Sequence, residues 1–193
     1  VLMNVHTGEV IALVSLPDFD PNNRPRPAVT GDASDSVLFN HASQGLYELG
    51  STFKLFTAAI ALEDKIVGPN GMVNIKGPLK WGKFTVRDFH NYGSTLSLTD
   101  VIVKSSNIGS ARLAMEFGGG RQQAFLDSIG MFSPVPIELI EARQSRPLLP
   151  KHWSELSTMT VSYGHGIAAS PLHLAAAYSL ILNGGTRIRP TIL

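Results

Sequence analysis

Residues 50–63 read GSTFKLFTAAIALE, and we predict that residues 52–63 form the central helix of the fold. The apolar residues cover nearly every side of a helical wheel, which is typical of a helix buried all round. At its start, Ser51 and Lys54 are three residues apart, so a helix brings the hydroxyl and the amine to the same side. Burial and a positive helix terminus both disfavour a protonated amine, so Lys54 is predicted to be the base that activates Ser51 as a nucleophile.

Ser-x-x-Lys alone is a weak signal, because about one chance match is expected in a chain of this length. Its position favours catalysis, since Gly50 precedes it and an apolar helix follows it, whereas a solvated lysine usually lies on a polar helical face. The free backbone N–H groups at the start of such a helix also suit an oxyanion on a substrate carbonyl.

A second polar cluster, Ser105-Ser106-Asn107, lies between two predicted helical segments. Ser105 can relay a proton between a leaving group and Lys54, and the Asn107 amide can hold a substrate carbonyl or the lysine itself. The alternative is a helix cap, because serine and asparagine are common between helices for that reason alone.

Outside these motifs, apolar patterns and breakers predict a strand hairpin, a long irregular connection, loops with short strands, and further helices. In order, these are strands at 1–5 and 10–16, the connection 18–36, the loops 65–89, a helix at 101–103 capped by Ser97, helices at 108–117 and 121–129, a loop-rich stretch at 133–150, and a helix at 170–182. Strands followed by a block of helices and a return towards the sheet indicate a mixed α+β fold.

Composition excludes several classes of function. The 193 residues are 44% hydrophobic and 16% charged, which is enough apolar material for one sizeable core. Lysine plus arginine (16) nearly balances aspartate plus glutamate (15) without a basic cluster, so we expect no nucleic-acid partner. Cysteine is absent and the six histidines show no common ligand spacing, so we predict no metal and no cofactor. No apolar stretch is long enough to span a bilayer, and we expect any membrane anchor to lie outside this chain.

In this order the two motifs resemble those of the active-site serine penicillin-recognising enzymes, which carry Ser-x-x-Lys, Ser-x-Asn and Lys-Thr-Gly. The resemblance covers essentially the whole chain and is nearest to the class B penicillin-binding proteins, in particular their division-specific septal branch. The segments that carry it are VLMNVHTGEVIALVS at 1–15, DFDPN at 18–22, SSNIG at 105–109, ARLA at 111–114, SYGHG at 162–166 and SPL at 170–172.

The resemblance implies a penicillin-binding protein and serine β-lactamase-like transpeptidase fold, with a sheet flanked by helices and an all-helical part. Residues 1–193 would be a partial transpeptidase domain, with the strand hairpin at 1–16, both motifs in a helical region at about 50–185, and the C-terminal strands missing.

The implied function is that of a peptidoglycan D,D-transpeptidase in cell division. Ser51, Lys54, Ser105 and Asn107 would be its catalytic residues, and β-lactams would acylate Ser51. The implied partners are peptidoglycan stem peptides, β-lactam antibiotics and proteins of septal synthesis, on the periplasmic side of the bacterial inner membrane.

The chain departs from the family pattern in two places. Leu49 replaces the usual proline before Gly50, and no Lys-Thr-Gly or Lys-Ser-Gly triplet occurs. In that family the strand carrying the triplet binds the substrate carboxylate and provides an oxyanion donor, so the resemblance implies that the isolated chain is inactive. Two other functions stay open: a D,D-carboxypeptidase or serine β-lactamase-like hydrolase, and a non-catalytic penicillin-binding fragment, sensor or scaffold.

Other polar and aromatic residues are interpreted structurally. The resemblance implies that the segment of His165, between two glycines, is a turn lining the back of the cleft, so His165 is not expected to act as a base. Asp18 and Asp20, among prolines and asparagines, are expected to stabilise turns. Trp81 and Trp153 show no common spacing and are expected to be packing residues.

Overall fold

A computed structural model describes residues 1–27 and 29–193 and shows a mixture of helices and short strands. The strands are β1 (Leu2–Met3), β2 (Val10–Ala12), β3 (Met72–Asn74), β4 (Leu79–Trp81), β5 (Phe84–Val86) and β6 (Thr95–Ser97). The helices are α1 (Lys54–Glu63), α2 (Leu98–Val103), α3 (Asn107–Ser128), α4 (Ile140–Gln144), α5 (Glu155–Val161) and α6 (Pro171–Leu182). The predicted mixed α+β class is confirmed.

The chain divides into two compact units. The first contains Val1–Tyr47, Asp127–Leu148 and Ala168–Leu193, and the second contains Glu48–Leu126 and Leu149–Ile167. Both motifs found in the sequence lie in the second unit. Among the described residues, none of the helices combines the length and the apolar character that crossing a bilayer requires.

The first unit contains the predicted hairpin, but its strands are much shorter than predicted. β1 and β2 are antiparallel, with Leu2 opposite Ala12, and the register shifts after Leu2. Beyond β2, Val14 and Leu16 are 68% and 69% exposed, so the apolar run extends further than the strand pairing does. The irregular connection at 18–36 is confirmed apart from two turns of 3₁₀-helix, and Ala28 within it lies outside the described residues.

The second unit is built around α1, α2 and the first half of α3. Its core contains Ala61, Val101, Ala111 and Met159, all 1% exposed or less. The prediction that the central helix is buried all round is wrong on one face, where Leu55 and Leu62 are 43% and 42% exposed. A helical wheel records which side chains are apolar, but it does not record which of them have a neighbour to pack against.

Several helix ends follow from local signals. Ser97 caps α2 by accepting a hydrogen bond from the Asp100 backbone N–H, as predicted. The predicted break between the two helices at 108–117 and 121–129 is found at Gly118, whose φ of 78° interrupts α3. Pro171 opens α6 as predicted. Helices α4 and α5 were not predicted, because proline and polar residues around them obscure their short apolar patterns.

His173 in α6 is a buried histidine, 2% exposed, with both ring nitrogens bonded. Nδ1 lies 2.7 Å from Ser170 Oγ, and Nε2 lies 3.1 Å from the Ser133 carbonyl oxygen. Burial lowers the pKa of His173 to about 4, against a smaller opposite effect of the Ser133 carbonyl. The native state therefore holds this ring in its neutral form.

We expect this histidine to make stability depend on pH. His173 takes up a proton near pH 6.5 in the unfolded chain and only near pH 4 in the folded chain. The free energy of unfolding therefore has its full value above pH 6.5. It should fall by roughly 3 kcal/mol as the pH drops through that interval. Urea unfolding of the natural protein from pH 4 to 7 measures the effect, and His173→Gln should remove it. The exposed His152→Gln is the control, and an unchanged pH dependence in His173→Gln would contradict the assignment.

Candidate active site

A tight turn presents Ser51 at the start of α1. Residues Gly50–Phe53 form a turn of 3₁₀-helix before the α-helix begins at Lys54. The α-helix thus starts two residues later than the predicted start at residue 52, which falls within the 3₁₀ turn. The Gly50 N–H donates to the Gly164 carbonyl oxygen at 3.3 Å. Gly164 has a φ of 80°, and a Cβ there would lie within 2.6 Å of the Gly50 nitrogen. Two backbones are thus packed directly against each other behind the serine.

Ser51, Lys54 and Ser105 form a closed triangle of hydrogen-bonding groups. The distances are 3.1 Å from Lys54 Nζ to Ser51 Oγ, 2.7 Å from Lys54 Nζ to Ser105 Oγ, and 2.9 Å between the two hydroxyl oxygens. Lys54 Nζ also donates to the Ser105 carbonyl oxygen at 2.6 Å. The structure therefore brings together three of the four residues that the sequence singled out.

The backbone of Ser105 is in an unusual conformation that makes this double contact. Its φ is 54°, a left-handed conformation that costs a non-glycine residue roughly 1–2 kcal/mol. In this conformation both oxygens of Ser105 accept from the same amine. Two hydrogen bonds from the amine of Lys54 offset the cost of the strained backbone.

Lys54 is buried while the hydroxyl that it would activate is exposed. The lysine is 2% exposed, and Ser51 and Ser105 are both open to solvent. Burial lowers the pKa of Lys54 to about 8, and the nearby Asp88 carboxylate partly opposes this by favouring the protonated amine. An amine with this pKa is partly neutral near neutral pH, which a general base requires.

Asp88 is the main residue of the site that the sequence did not reveal. Its two carboxylate oxygens accept from Ser106 Oγ at 2.7 Å and from the Ile108 N–H at 2.9 Å. Ser106 Oγ in turn accepts from the Gly109 N–H at 2.9 Å. Asp88 thus caps α3 together with Ser106 and holds the turn that carries Ser105.

The helix-cap interpretation of the Ser-Ser-Asn cluster holds for Ser106, whereas the role of Ser105 as a proton relay stays a prediction. Ser106 is the helix cap, and Ser105 is the group that reaches Lys54. The Asn107 side-chain amide donates to the Arg87 carbonyl oxygen at 3.1 Å, and it is Ser105 that bonds the lysine. The role of Asn107 towards a substrate carbonyl remains a prediction.

His165, Asp20 and Trp153, for which the sequence predicts structural roles, each contact neighbouring residues. His165 lies in a turn between two glycines of positive φ, and its ring packs edge-on to Tyr163 at 5.3 Å. Asp20 accepts from the Asn22 N–H in a 3₁₀ turn, as expected for turn chemistry. Trp153 donates to the Gln122 side chain at 3.1 Å. Within residues 1–27 and 29–193, no group of three or more histidine or acidic side chains is arranged to hold a metal ion.

Comparison with known proteins identifies the family. The model of the penicillin binding protein transpeptidase domain matches residues 1–193. The chain belongs to this family. It is 40% identical over 187 residues to a probable peptidoglycan D,D-transpeptidase FtsI of Caulobacter vibrioides, covering 97% of this chain and 30% of that protein. It is 30% identical over 181 residues to the peptidoglycan D,D-transpeptidase FtsI of Escherichia coli K12, covering 94% of this chain and 29% of that protein.

Solved structures of this family share the fold. A structure described as a peptidoglycan glycosyltransferase from Burkholderia ambifaria is similar with a TM-score of 0.82 and 29% identity, over 99% of this chain and 54% of that one. The apo transpeptidase domain of Burkholderia pseudomallei penicillin-binding protein 3 gives 0.81 and 29%, over 98% and 51%. The expected transpeptidase fold of penicillin-binding proteins is confirmed, and the chain spans less than a third of the two FtsI relatives named above.

The contact of Gly164 with the serine turn leads to a first prediction for the site. In Gly164→Ala, the new Cβ would meet the backbone of Gly50, so we expect the turn to shift. Covalent labelling of this variant by a fluorescent penicillin should be at least tenfold slower than labelling of the unsubstituted protein. Gly120→Ala is the matched control, since nothing lies within 4 Å of its added Cβ. Equal labelling rates in the two variants would contradict this role for Gly164.

A second prediction concerns the charge of Asp88. Asp88→Asn removes the electrostatic effect that favours protonated Lys54, so the pKa of Lys54 should fall below about 8. The NMR titration of the Lys54 side-chain carbon signals measures this directly. Asp100→Asn is the control, because Asp100 also accepts a hydrogen bond from a serine hydroxyl but does not affect the pKa of Lys54. A pKa that rises in Asp88→Asn would show that loss of the turn outweighs loss of the charge.

Proposed function

We propose that the protein containing this chain is a peptidoglycan D,D-transpeptidase that cross-links stem peptides through an acyl-enzyme on Ser51. The observation that carries the proposal is the triangle of Ser51, Lys54 and Ser105, in which a buried amine of lowered pKa contacts an exposed serine hydroxyl. The names of the FtsI relatives support the same reaction. They favour it over a hydrolase or a non-catalytic scaffold.

Acylation follows from the geometry of the triangle. Ser51 Oγ attacks the carbonyl carbon between the two terminal D-alanines and passes its proton to neutral Lys54, directly or through Ser105 Oγ. The C–N bond then breaks, and the leaving amine takes a proton from Lys54 through Ser105. The products are a Ser51 ester and free D-alanine, and Lys54 is neutral again.

The second half of the reaction uses the same groups in reverse. An amine of a neighbouring stem peptide attacks the ester carbon while Lys54 accepts its proton. Ser51 Oγ leaves, regains a proton from Lys54, and a new amide bond remains as the cross-link. Asn107, whose side-chain amide donates to the Arg87 carbonyl oxygen, would hold the substrate backbone beside Ser105.

The biological setting is part of the same proposal. We propose that residues 1–193 belong to one transpeptidase domain, acting on the periplasmic side of the inner membrane in cell division together with septal proteins. The family match over the whole chain and the FtsI names of its relatives support this setting. β-Lactams would acylate Ser51 in the same way, because Ser51 Oγ attacks the ring carbonyl and the ring C–N bond breaks in place of the amide bond between the two D-alanines.

The pH dependence of acylation tests the proposed base. Since only neutral Lys54 can accept the proton, the acylation rate of the natural protein by benzylpenicillin should rise with pH and level off above about pH 8. Lys54→Met should reduce the rate by about 10²–10⁴-fold, whereas the exposed Lys151→Met should not change it.

Mass spectrometry locates the adduct. The penicilloyl group should lie on the peptide that contains Ser51, and Ser51→Ala should carry none. An adduct on another residue of the folded protein would refute the assignment of Ser51. Rapid turnover of penicillin by the protein would instead indicate a hydrolase.

A further inference from the structure

A cationic groove lies beside the Ser-Ser-Asn turn, within the second unit. Its cavity of about 320 Å³ is lined by Ile75, Lys76, Arg87, His90, Tyr92 and Ile108, among others, and we call it the Arg87 groove. Cavities of 300–1,000 Å³ are the usual size for small ligands or for part of a larger one. The groove is therefore large enough to hold a side chain or a short stretch of peptide.

The charges that line the Arg87 groove are predominantly positive. Lys76 and Arg87 are exposed, and within residues 1–27 and 29–193 neither forms a salt bridge. One carboxylate, Asp88, also lines the groove, but both of its oxygens accept hydrogen bonds from the start of α3. The two cations are thus available to a ligand, whereas the carboxylate is already engaged.

The groove is connected to the reactive residues by hydrogen bonds and by the chain itself. Asn107 Nδ2 donates to the carbonyl oxygen of Arg87. Ile108, which follows Asn107, lines the groove. Lys104, which precedes Ser105, places Nζ 5.7 Å from the centre of the Tyr92 ring. The groove is therefore joined to Asn107 through the Arg87 backbone and through Ile108.

We propose that the Arg87 groove binds a carboxylate of the stem peptide at a position remote from the bond that Ser51 attacks. The inference rests on the proposed function. Lys76 and Arg87 supply charge-assisted hydrogen bonds to the carboxylate, and Arg87 can contact both of its oxygens at once. The rings of His90 and Tyr92, whose centres are 5.9 Å apart, pack against the apolar part of the peptide. The groove thus selects acidic stem peptides.

Binding of two peptides that differ in one carboxylate tests the proposal without any catalysis. The probes are the pentapeptide Ala-D-Glu-Lys-D-Ala-D-Ala and its D-Gln analogue, titrated into the natural protein carrying Ser51→Ala. We expect the D-Glu peptide to bind about tenfold more tightly than the D-Gln peptide. Arg87→Gln together with Lys76→Gln should abolish that difference. Lys80→Gln, an exposed lysine on β4 that does not line the groove, is the control and should preserve it.

Acylation by benzylpenicillin separates this proposal from the proposed function. Acylation of Ser51 is measured in the protein with an intact serine and with both cations in place. Equal affinity for the two peptides in the unsubstituted groove would overturn the proposal, and so would a preference that survives loss of both cations. Absence of acylation in the wild-type protein would refute the proposed function instead, whatever the peptides show.

Discussion

The site depends on one buried amine whose hydrogen bonds are all satisfied. Lys54 Nζ has three oxygen partners, namely the hydroxyls of Ser51 and Ser105 and the carbonyl of Ser105. A neutral amine offers two N–H donors and one lone pair, so it matches three partners when one hydroxyl donates to it. Burial without an unpaired polar group avoids the usual penalty. The lowered pKa of Lys54 and its contact with the Ser51 hydroxyl are therefore consequences of the same packing.

Asp88 shows how structural and electrostatic requirements compete within the site. Its carboxylate fixes the start of α3, and with it the left-handed Ser105 that faces the lysine. The same negative charge stabilises the protonated form of Lys54, which is the form that cannot act as a base. Desolvation is the larger of the two effects, so the pKa still falls. The carboxylate is shared between two hydrogen-bond donors, which keeps it in place beside the amine.

Local signals in the sequence were sufficient for part of this site. The three-residue spacing of Ser51 and Lys54 predicts that they share a side, and capping residues such as Ser97 predict helix starts. The Gly164 contact and the role of Asp88 join residues that are far apart in the chain, so no local pattern contains them. The exposed face of α1 at Leu55 and Leu62 was missed for a related reason, since apolarity predicts burial only where a neighbouring element is present.

The environment of Lys54 differs between the newly made chain and the folded protein. Ser51 and Lys54 are neighbours in any helix, but the lysine is desolvated only when the Ser105 turn and the core around α1 close over it. Before that, its pKa lies near 10.5, and the serine beside it is an ordinary alcohol. Under the proposed function, Ser51 would therefore gain its reactivity only once the tertiary structure is complete, and a chain still being folded would be protected from premature acylation.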